Sequence, residues 1–102
     1  MNFSFNTEAD ASVLRIEGEL DALSARNLKP TIAKIGEDRP RKVLVDLSKL
    51  RLIDSLGVGT LIALFKIVCA YKGSLTVAGV HDQPLVIFRR LQLDQVLLHD
   101  VA

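Results

Sequence analysis

A serine that directly follows an aspartate, at the start of an apolar helix, is the feature best suited to chemistry. Asp54 and Ser55 end a polar turn, and Leu56-Gly57-Val58-Gly59 leads from them into a long apolar stretch. Asp54 or Ser55 suits an N-cap, and the helix amides around Gly57 and Val58 would have no intrahelical acceptors. A phosphate on Ser55 would therefore meet backbone donors and a favourable dipole, and the two glycines would let another protein approach closely. The pattern predicts either a phosphorylated docking serine or, more simply, a capped helix whose glycines relieve packing.

Other kinds of active site fit the sequence poorly. A nucleophilic serine of the Gly-x-Ser-x-Gly type requires a glycine where Ile53 stands. Gly57-Val58-Gly59 lacks the third glycine of a dinucleotide-binding loop, because Ile62 occupies that position. His81 and His99 are the only histidines, and neither has an acidic residue at metal-ligand spacing on one helix face. The sequence therefore predicts no catalytic residue, no metal site and no cofactor, hence a protein that is not an enzyme.

Two segments at compatible spacing resemble the signature of STAS domains. Residues 53–61 are similar to the Asp-Ser-(Ser/Thr)-Gly-(Leu/Val)-Gly pattern of the anti-sigma-factor antagonists, the anti-anti-sigma factors of that family. Leu56 stands where these proteins have Ser or Thr. Upstream, residues 16–28 resemble the Gly-Glu-Leu-Asp…(Thr/Ser)-Ala…Leu stretch of the same family, and Val45-Asp46-Leu47-Ser48 resembles its strand end. The resemblance covers nearly the whole chain and implies one STAS domain over residues 1–102.

For function, the resemblance implies a bacterial phosphorylation switch in transcriptional signalling. Ser55 would be the phosphorylated residue, with Asp54 before it and Asp21 near it in the fold. The partner would be an anti-sigma factor with serine kinase activity, whose sequestration frees a sigma factor, and a serine phosphatase would restore the binding form. The partner-binding residues implied are Asp21, Asp54, Ser55, Leu56, Gly57 and Val58. The alternative is a non-phosphorylated STAS subunit of a transporter or other signalling assembly, in which the same helix start is a fixed contact.

Hydrophobic periodicity predicts the elements that position these residues. Segments that alternate or form short apolar runs predict strands near residues 3–5, 12–17, 42–47, 74–78 and 96–98. Asp10 and Ala11 would turn the first strand into the second. Helical spacing fills the gaps and gives the order β-β-α-β-α-β-α-β. This order predicts an α/β fold: a mixed central sheet with the helices mainly on one face, because right-handed crossovers bring them there.

The boundaries of the helices have their own signals. Ser24 is a candidate N-cap of the first helix, and Pro30 inside it predicts a kink or a later start. Gly73 is a candidate stop for the second helix, and Asp82 with Pro84 is expected to open the third. The core stripe of the second helix is predicted to contain Val58, Leu61, Ile62, Phe65, Val68 and Cys69. Its remaining apolar residues, Leu64, Ile67 and Tyr71, would either be buried as well or form a patch for a partner.

Composition narrows the class of protein further. The 102 residues carry 13 Lys and Arg against 12 Asp and Glu, a formal net charge of +1, so no clustered basic surface for nucleic acid is expected. The first ten residues lack the pattern of a signal peptide. The longest apolar stretch, residues 61–71, contains Lys66 and is too short for a bilayer. We therefore expect a cytoplasmic protein without membrane insertion or direct nucleic-acid binding. A weak homodimer is a further expectation.

Overall fold

The structure is a computed structural model that describes residues 1–93. The elements in chain order are β1 (Asn2–Glu8), β2 (Ala11–Leu20), α1 (Ala22–Asp38), β3 (Lys42–Ile53), α2 (Ser55–Ala70), β4 (Ser74–Ala78) and α3 (Asp82–Arg90). The predicted α/β order is confirmed through the third helix. The predicted last strand, residues 96–98, lies outside the described residues.

The four strands form one mixed sheet in the order β1-β2-β3-β4. β1 runs antiparallel to β2, whereas β2 with β3 and β3 with β4 are parallel pairs. The hairpin between β1 and β2 turns at Ala9 and Asp10, one residue earlier than predicted, and Ala9 takes the left-handed conformation with φ 53°. Two successive parallel connections of one hand place α1 and α2 on the same face of the sheet.

The core lies between the sheet and its helices. The buried strand residues of the core are Leu14, Ile16, Leu20, Val43, Val45, Leu47, Leu50, Ile53, Leu75 and Val77. Their neighbours in sequence, such as Arg15 and Asp46, are half-exposed and form an ion pair across β2 and β3 at 3.4 Å. Each strand thus has one strongly apolar face, as expected when helices cover one side of a sheet.

Helix α1 starts earlier than the sequence suggested. Its N-cap is Asp21, and Ser24 is the third helical residue of a reciprocal capping box, so the prediction of Ser24 as N-cap was wrong. The box supplies acceptors on both sides: Asp21 Oδ1 accepts from the Ser24 amide, and Ser24 Oγ accepts from the Asp21 amide, each at 2.9 Å. Pro30 is exposed inside the helix and does not delay its start.

Helix α2 buries most of the predicted stripe: Val58, Leu61 and Val68 are buried, and Ile62 and Phe65 pack partly buried against the core. The buried positions are Gly57, Val58, Leu61, Leu64 and Val68. Leu64 is fully buried, while Cys69 is exposed, so the assignment of Cys69 to the core was wrong. The stripe passes through positions 61, 64 and 68, and Cys69 lies about 100° further round the helix from Val68.

The end of α2 also differs from the prediction. The helix ends at Ala70, and the left-handed residue after it is Lys72 with φ 67°, not Gly73. A Cβ on Gly73 would lie 2.6 Å from Tyr71 Cε1 and 3.2 Å from the Arg41 carbonyl oxygen. The glycine is thus required for close packing rather than for its backbone angle. Within residues 1–93, no helix is long and apolar enough to cross a membrane.

Candidate functional site

Two aspartates that are distant in sequence lie side by side at one edge of the sheet. Leu20 and Ile53 are paired at the ends of the parallel strands β2 and β3. Asp21 is the residue that follows β2, and Asp54 is the residue that follows β3. The Asp54 amide donates to the Leu20 carbonyl oxygen at 3.2 Å, which continues the pairing one residue further. Asp21 therefore lies at the end of β2 beside the Asp54–Ser55 turn, at the edge where α/β sheets commonly place their sites.

Both aspartates are N-caps of the helices that follow. Asp21 caps α1, and Asp54 Oδ1 accepts from the Gly57 amide at 2.8 Å to cap α2. Hydrogen bonds from the backbone and hydroxyl of Ser24 lower the pKa of the Asp21 carboxyl from its usual value. Two positive helix ends thus meet at one edge of the sheet, each covered by a carboxylate.

Ser55 is the first residue of α2 and is exposed. Because the first amides of a helix have no intrahelical acceptor, the N–H groups of Ser55 and Leu56 remain for other acceptors once Asp54 has taken the Gly57 amide. Leu56 is 59% exposed, so its apolar side chain faces outward beside the serine. The arrangement offers a hydroxyl, a carboxylate and an apolar side chain on one accessible surface.

The two glycines of the motif have different surroundings: one position has no room for a side chain and the other does. A Cβ on Gly57 would collide with the Leu20 carbonyl oxygen and lie 2.9 Å from Ile53 Cγ1, so Gly57 lets α2 start directly against β2 and β3. A Cβ on Gly59 would meet nothing within 4 Å. Gly57 and Val58, which the resemblance implies as partner-binding residues, are buried and fix the helix start, and their part in binding stays a prediction. Of the two glycines, Gly59 is the one that leaves an open position on the exposed side of α2.

Three exposed leucines lie two residues from Asp21 or Asp54 in the sequence, and sequence analysis singled out only one of them. Leu56 is joined by Leu23 in the first turn of α1, which is 75% exposed, and by Leu52 at the end of β3, which is 46% exposed. The signal for Leu52 was its place one residue before Ile53 in a strand, since alternate strand residues face opposite sides. For Leu23, recognising Asp21 as the N-cap would have placed position 23 in the first turn of α1.

Two side chains at the start of α3 bind the second half of β3, and no pattern in the sequence indicates either contact. Gln83 accepts from the Ile53 amide at 2.9 Å through Oε1 and donates to the Ile53 carbonyl at 3.0 Å through Nε2. His81 Nε2 lies 2.8 Å from the Ser48 carbonyl oxygen, and His81 Nδ1 lies 2.7 Å from Asp82 Oδ2. β4 pairs with β3 only as far as residue 46, so these side chains bind the part of β3 that β4 leaves unpaired.

The family of the chain follows from a match to a family model. The model described as "Mlab, STAS domain" matches residues 3–99, nearly the full length. The chain belongs to the STAS-domain family. Within residues 1–93, no three His, Cys, Asp or Glu side chains are placed to hold a metal ion.

Several solved structures share this fold at low sequence identity. An anti-sigma factor antagonist from Mycobacterium paratuberculosis matches with a TM-score of 0.84 and 22% identity over 94% of this chain and 81% of its own. The Bacillus cell fate determinant SpoIIAA in its phosphorylated form matches with 0.77 and 18% identity over 94% and 88%. A sulfate transporter family protein from Wolinella succinogenes matches with 0.76 and 20% identity over 90% and 75%.

Proposed function

We propose that this STAS domain is an anti-sigma-factor antagonist that is switched by phosphorylation of Ser55. The observation that carries the proposal is the position of Ser55: it is exposed, lies at the first position of α2, and directly follows the capping residue Asp54. The structural likeness to anti-sigma factor antagonists supports the same function. The partner would be an anti-sigma factor that is itself a serine kinase, and its capture would free a sigma factor.

The surface around Ser55 has the composition of a docking site. Leu23, Leu52 and Leu56 supply exposed apolar area, and Asp21 and Asp54 add polar acceptors among them. Apolar side chains surrounded by polar groups are typical of surfaces that bind another protein. The open position at Gly59 would let a partner backbone approach the first turns of α2.

Phosphorylation would change the charge of this surface without requiring a new fold. A phosphate adds about −1.5 to −2 charges and three acceptor oxygens. The helix end would accommodate it, because the Ser55 and Leu56 amides and the dipole of α2 favour an anion. A partner packed over Asp21 and Asp54 would meet repulsion between like charges and an added desolvation cost. A serine phosphatase would then return the domain to its binding form.

Binding of the anti-sigma factor by Ser55 variants tests this function. Ser55→Ala should bind the serine-kinase anti-sigma factor encoded in the same genome, while Ser55→Asp should bind it more weakly. Ser74→Asp is the matched control, because it places the same charge on an exposed serine at the start of β4. Equal loss of affinity in Ser55→Asp and Ser74→Asp would count against a specific role of Ser55. Tight binding to transporter subunits instead, unaffected by Ser55→Asp, would support the fixed-subunit alternative.

A further inference from the structure

The outer edge of β1 is long, regular and almost uncharged. β1 is an edge strand that pairs only with β2 within residues 1–93, in an unbroken register of seven residue pairs from Asn2 to Glu8. Natural edge strands usually carry lysine, proline or a bulge, or are very short, because these features prevent pairing with another chain. β1 has none of these features, and its only charge is Glu8 at its last position. This edge is therefore open to strand pairing.

The residues of β1 are also arranged so that the strand matches itself. Phe3 and Phe5 oppose Ile16 and Leu14 of β2, which are fully buried, so both rings lie on the core side of the sheet. Phe5 is half-buried against the core, whereas Phe3 is 37% exposed at the rim. The opposite face of β1 carries small polar residues, Asn2, Ser4 and Asn6.

We propose that a second copy of this chain pairs with β1 in antiparallel orientation about a two-fold axis at Ser4, which joins the four described strands of each copy into one continuous sheet. This register places Ser4 opposite Ser4, each Phe3 opposite the other copy's Phe5, and each Asn2 opposite the other copy's Asn6. Aromatic pairs directly opposite each other stabilise antiparallel strands, and here both occur on the core side, where Phe3 would lose its exposure. Asparagine opposite asparagine forms the polar face, and Glu8 falls beyond the paired segment.

The pairing edge is separated by β2 from the Ser55 turn, whereas Asp21 of the proposed partner surface follows β2 itself. β1 lies at the outer edge of the sheet, with β2 between it and β3, and Asp54 and Ser55 follow β3. A dimer through β1 therefore leaves both Ser55 turns exposed, one on each copy. Pairing and partner binding can be tested independently for this reason.

Two double variants at the same two positions test the register. Asn2→Lys with Asn6→Lys places two like-charged pairs across the axis, and Asn2→Lys with Asn6→Glu places two opposite-charged pairs there. In sedimentation equilibrium we expect the wild-type chain to dimerise and the first variant to raise the dissociation constant by on the order of tenfold or more. The second variant should dimerise at least as tightly as the wild type. Thermal unfolding of all three at low concentration checks that each remains folded.

Cross-linking locates the contact. In a Cys69→Ala background, Ser4→Cys should form an intermolecular disulfide, because opposed residues of antiparallel strands have Cα atoms about 4.5–5.5 Å apart. Ser74→Cys, on the strand at the other edge of the described sheet, should not do so at the same concentration. A wild-type chain that stays monomeric at millimolar concentration would overturn the proposal. So would a dimer that both double variants leave unchanged.

Discussion

Gln83 satisfies both backbone polar groups of Ile53, the residue immediately before the Asp54–Ser55 turn. Its amide accepts from the Ile53 N–H at 2.9 Å and donates to the Ile53 carbonyl at 3.0 Å. One side chain on α3 thus provides the hydrogen bonds that a neighbouring strand would otherwise provide. The position of the turn depends on this contact as well as on the pairing of Leu20 with Ile53.

We therefore expect Gln83→Ala to lower the free energy of unfolding by about 1–3 kcal/mol, because two part-buried backbone groups lose their partners. Gln83→Glu should also be destabilising, since a carboxylate can accept from the Ile53 amide but cannot donate to its carbonyl. Arg89→Ala, at an exposed position of the same helix, is the control and should change stability little. Urea denaturation gives the free energies, and faster hydrogen exchange at the Ile53 amide should accompany the loss in both Gln83 variants.

Gly57 and Gly59 should respond in opposite directions to the same substitution. Gly57→Ala places a Cβ against the Leu20 carbonyl oxygen, and we expect a loss of about 1–3 kcal/mol from the overlap. Gly59→Ala meets no atom within 4 Å and should gain up to about 1 kcal/mol from higher helix propensity. Thermal or urea unfolding of the two variants decides the point. Equal effects of the two substitutions would contradict the packing assigned to Gly57.

The sequence was sufficient to predict the general fold and one part of the candidate site. Alternation, short apolar runs and helical spacing placed all seven described elements in the right order, although β3 extends to Ile53, beyond its predicted end at residue 47. Ser24 was misjudged as the cap because it lies three residues after another capping residue, and a capping box contains both. Cys69 was misplaced because apolar residues surround nearly the whole of α2, so that periodicity could not select the buried face.

The parts of the site that sequence analysis missed are contacts between distant segments. Gln83 and His81 reach β3 across about thirty residues, and neither residue type nor spacing indicates such a bond. Leu23 and Leu52 could have been recognised as exposed only after the cap at Asp21 and the full length of β3 were known, and sequence analysis had neither. The nearness of Asp21 to Asp54, by contrast, was implied by the family resemblance, and the parallel pairing of β2 with β3 is what produces it.

His81 should give the domain a stability that depends on pH. The hydrogen bond to Asp82 and the bond to the Ser48 carbonyl raise the pKa of the His81 imidazole above its usual 6.5. The folded state therefore favours the protonated ring, so its contribution is fully present below that usual value and is lost as pH rises through the raised pKa. We measure the free energy of unfolding of the wild type and of His81→Gln as a function of pH. The difference between the two should fall from about pH 6.5 upward. A difference independent of pH between 5 and 9 would contradict it.

Asp54 should be important to stability as a cap and not through its charge. Asp54→Ala removes the acceptor of the Gly57 amide and should cost about 1 kcal/mol. Asp54→Asn keeps an oxygen in the same place and should retain most of that stability. Urea denaturation of both variants measures the difference. If Asn were as destabilising as Ala, the capping role would be wrong and the charge of Asp54 would be the important property.

Mapping the phosphorylated residue is the most direct test of the proposed switch. The wild-type chain is incubated with ATP and the serine-kinase anti-sigma factor of its own genome, and tandem mass spectrometry locates the phosphate. We expect phosphate on Ser55 and none on the Ser55→Ala variant, which should remain folded because the exposed hydroxyl is its only change. Phosphate on Ser48, Thr60 or Ser74 with Ser55 unmodified would contradict the assignment. Binding of the kinase without phosphate on any residue would contradict the switch itself.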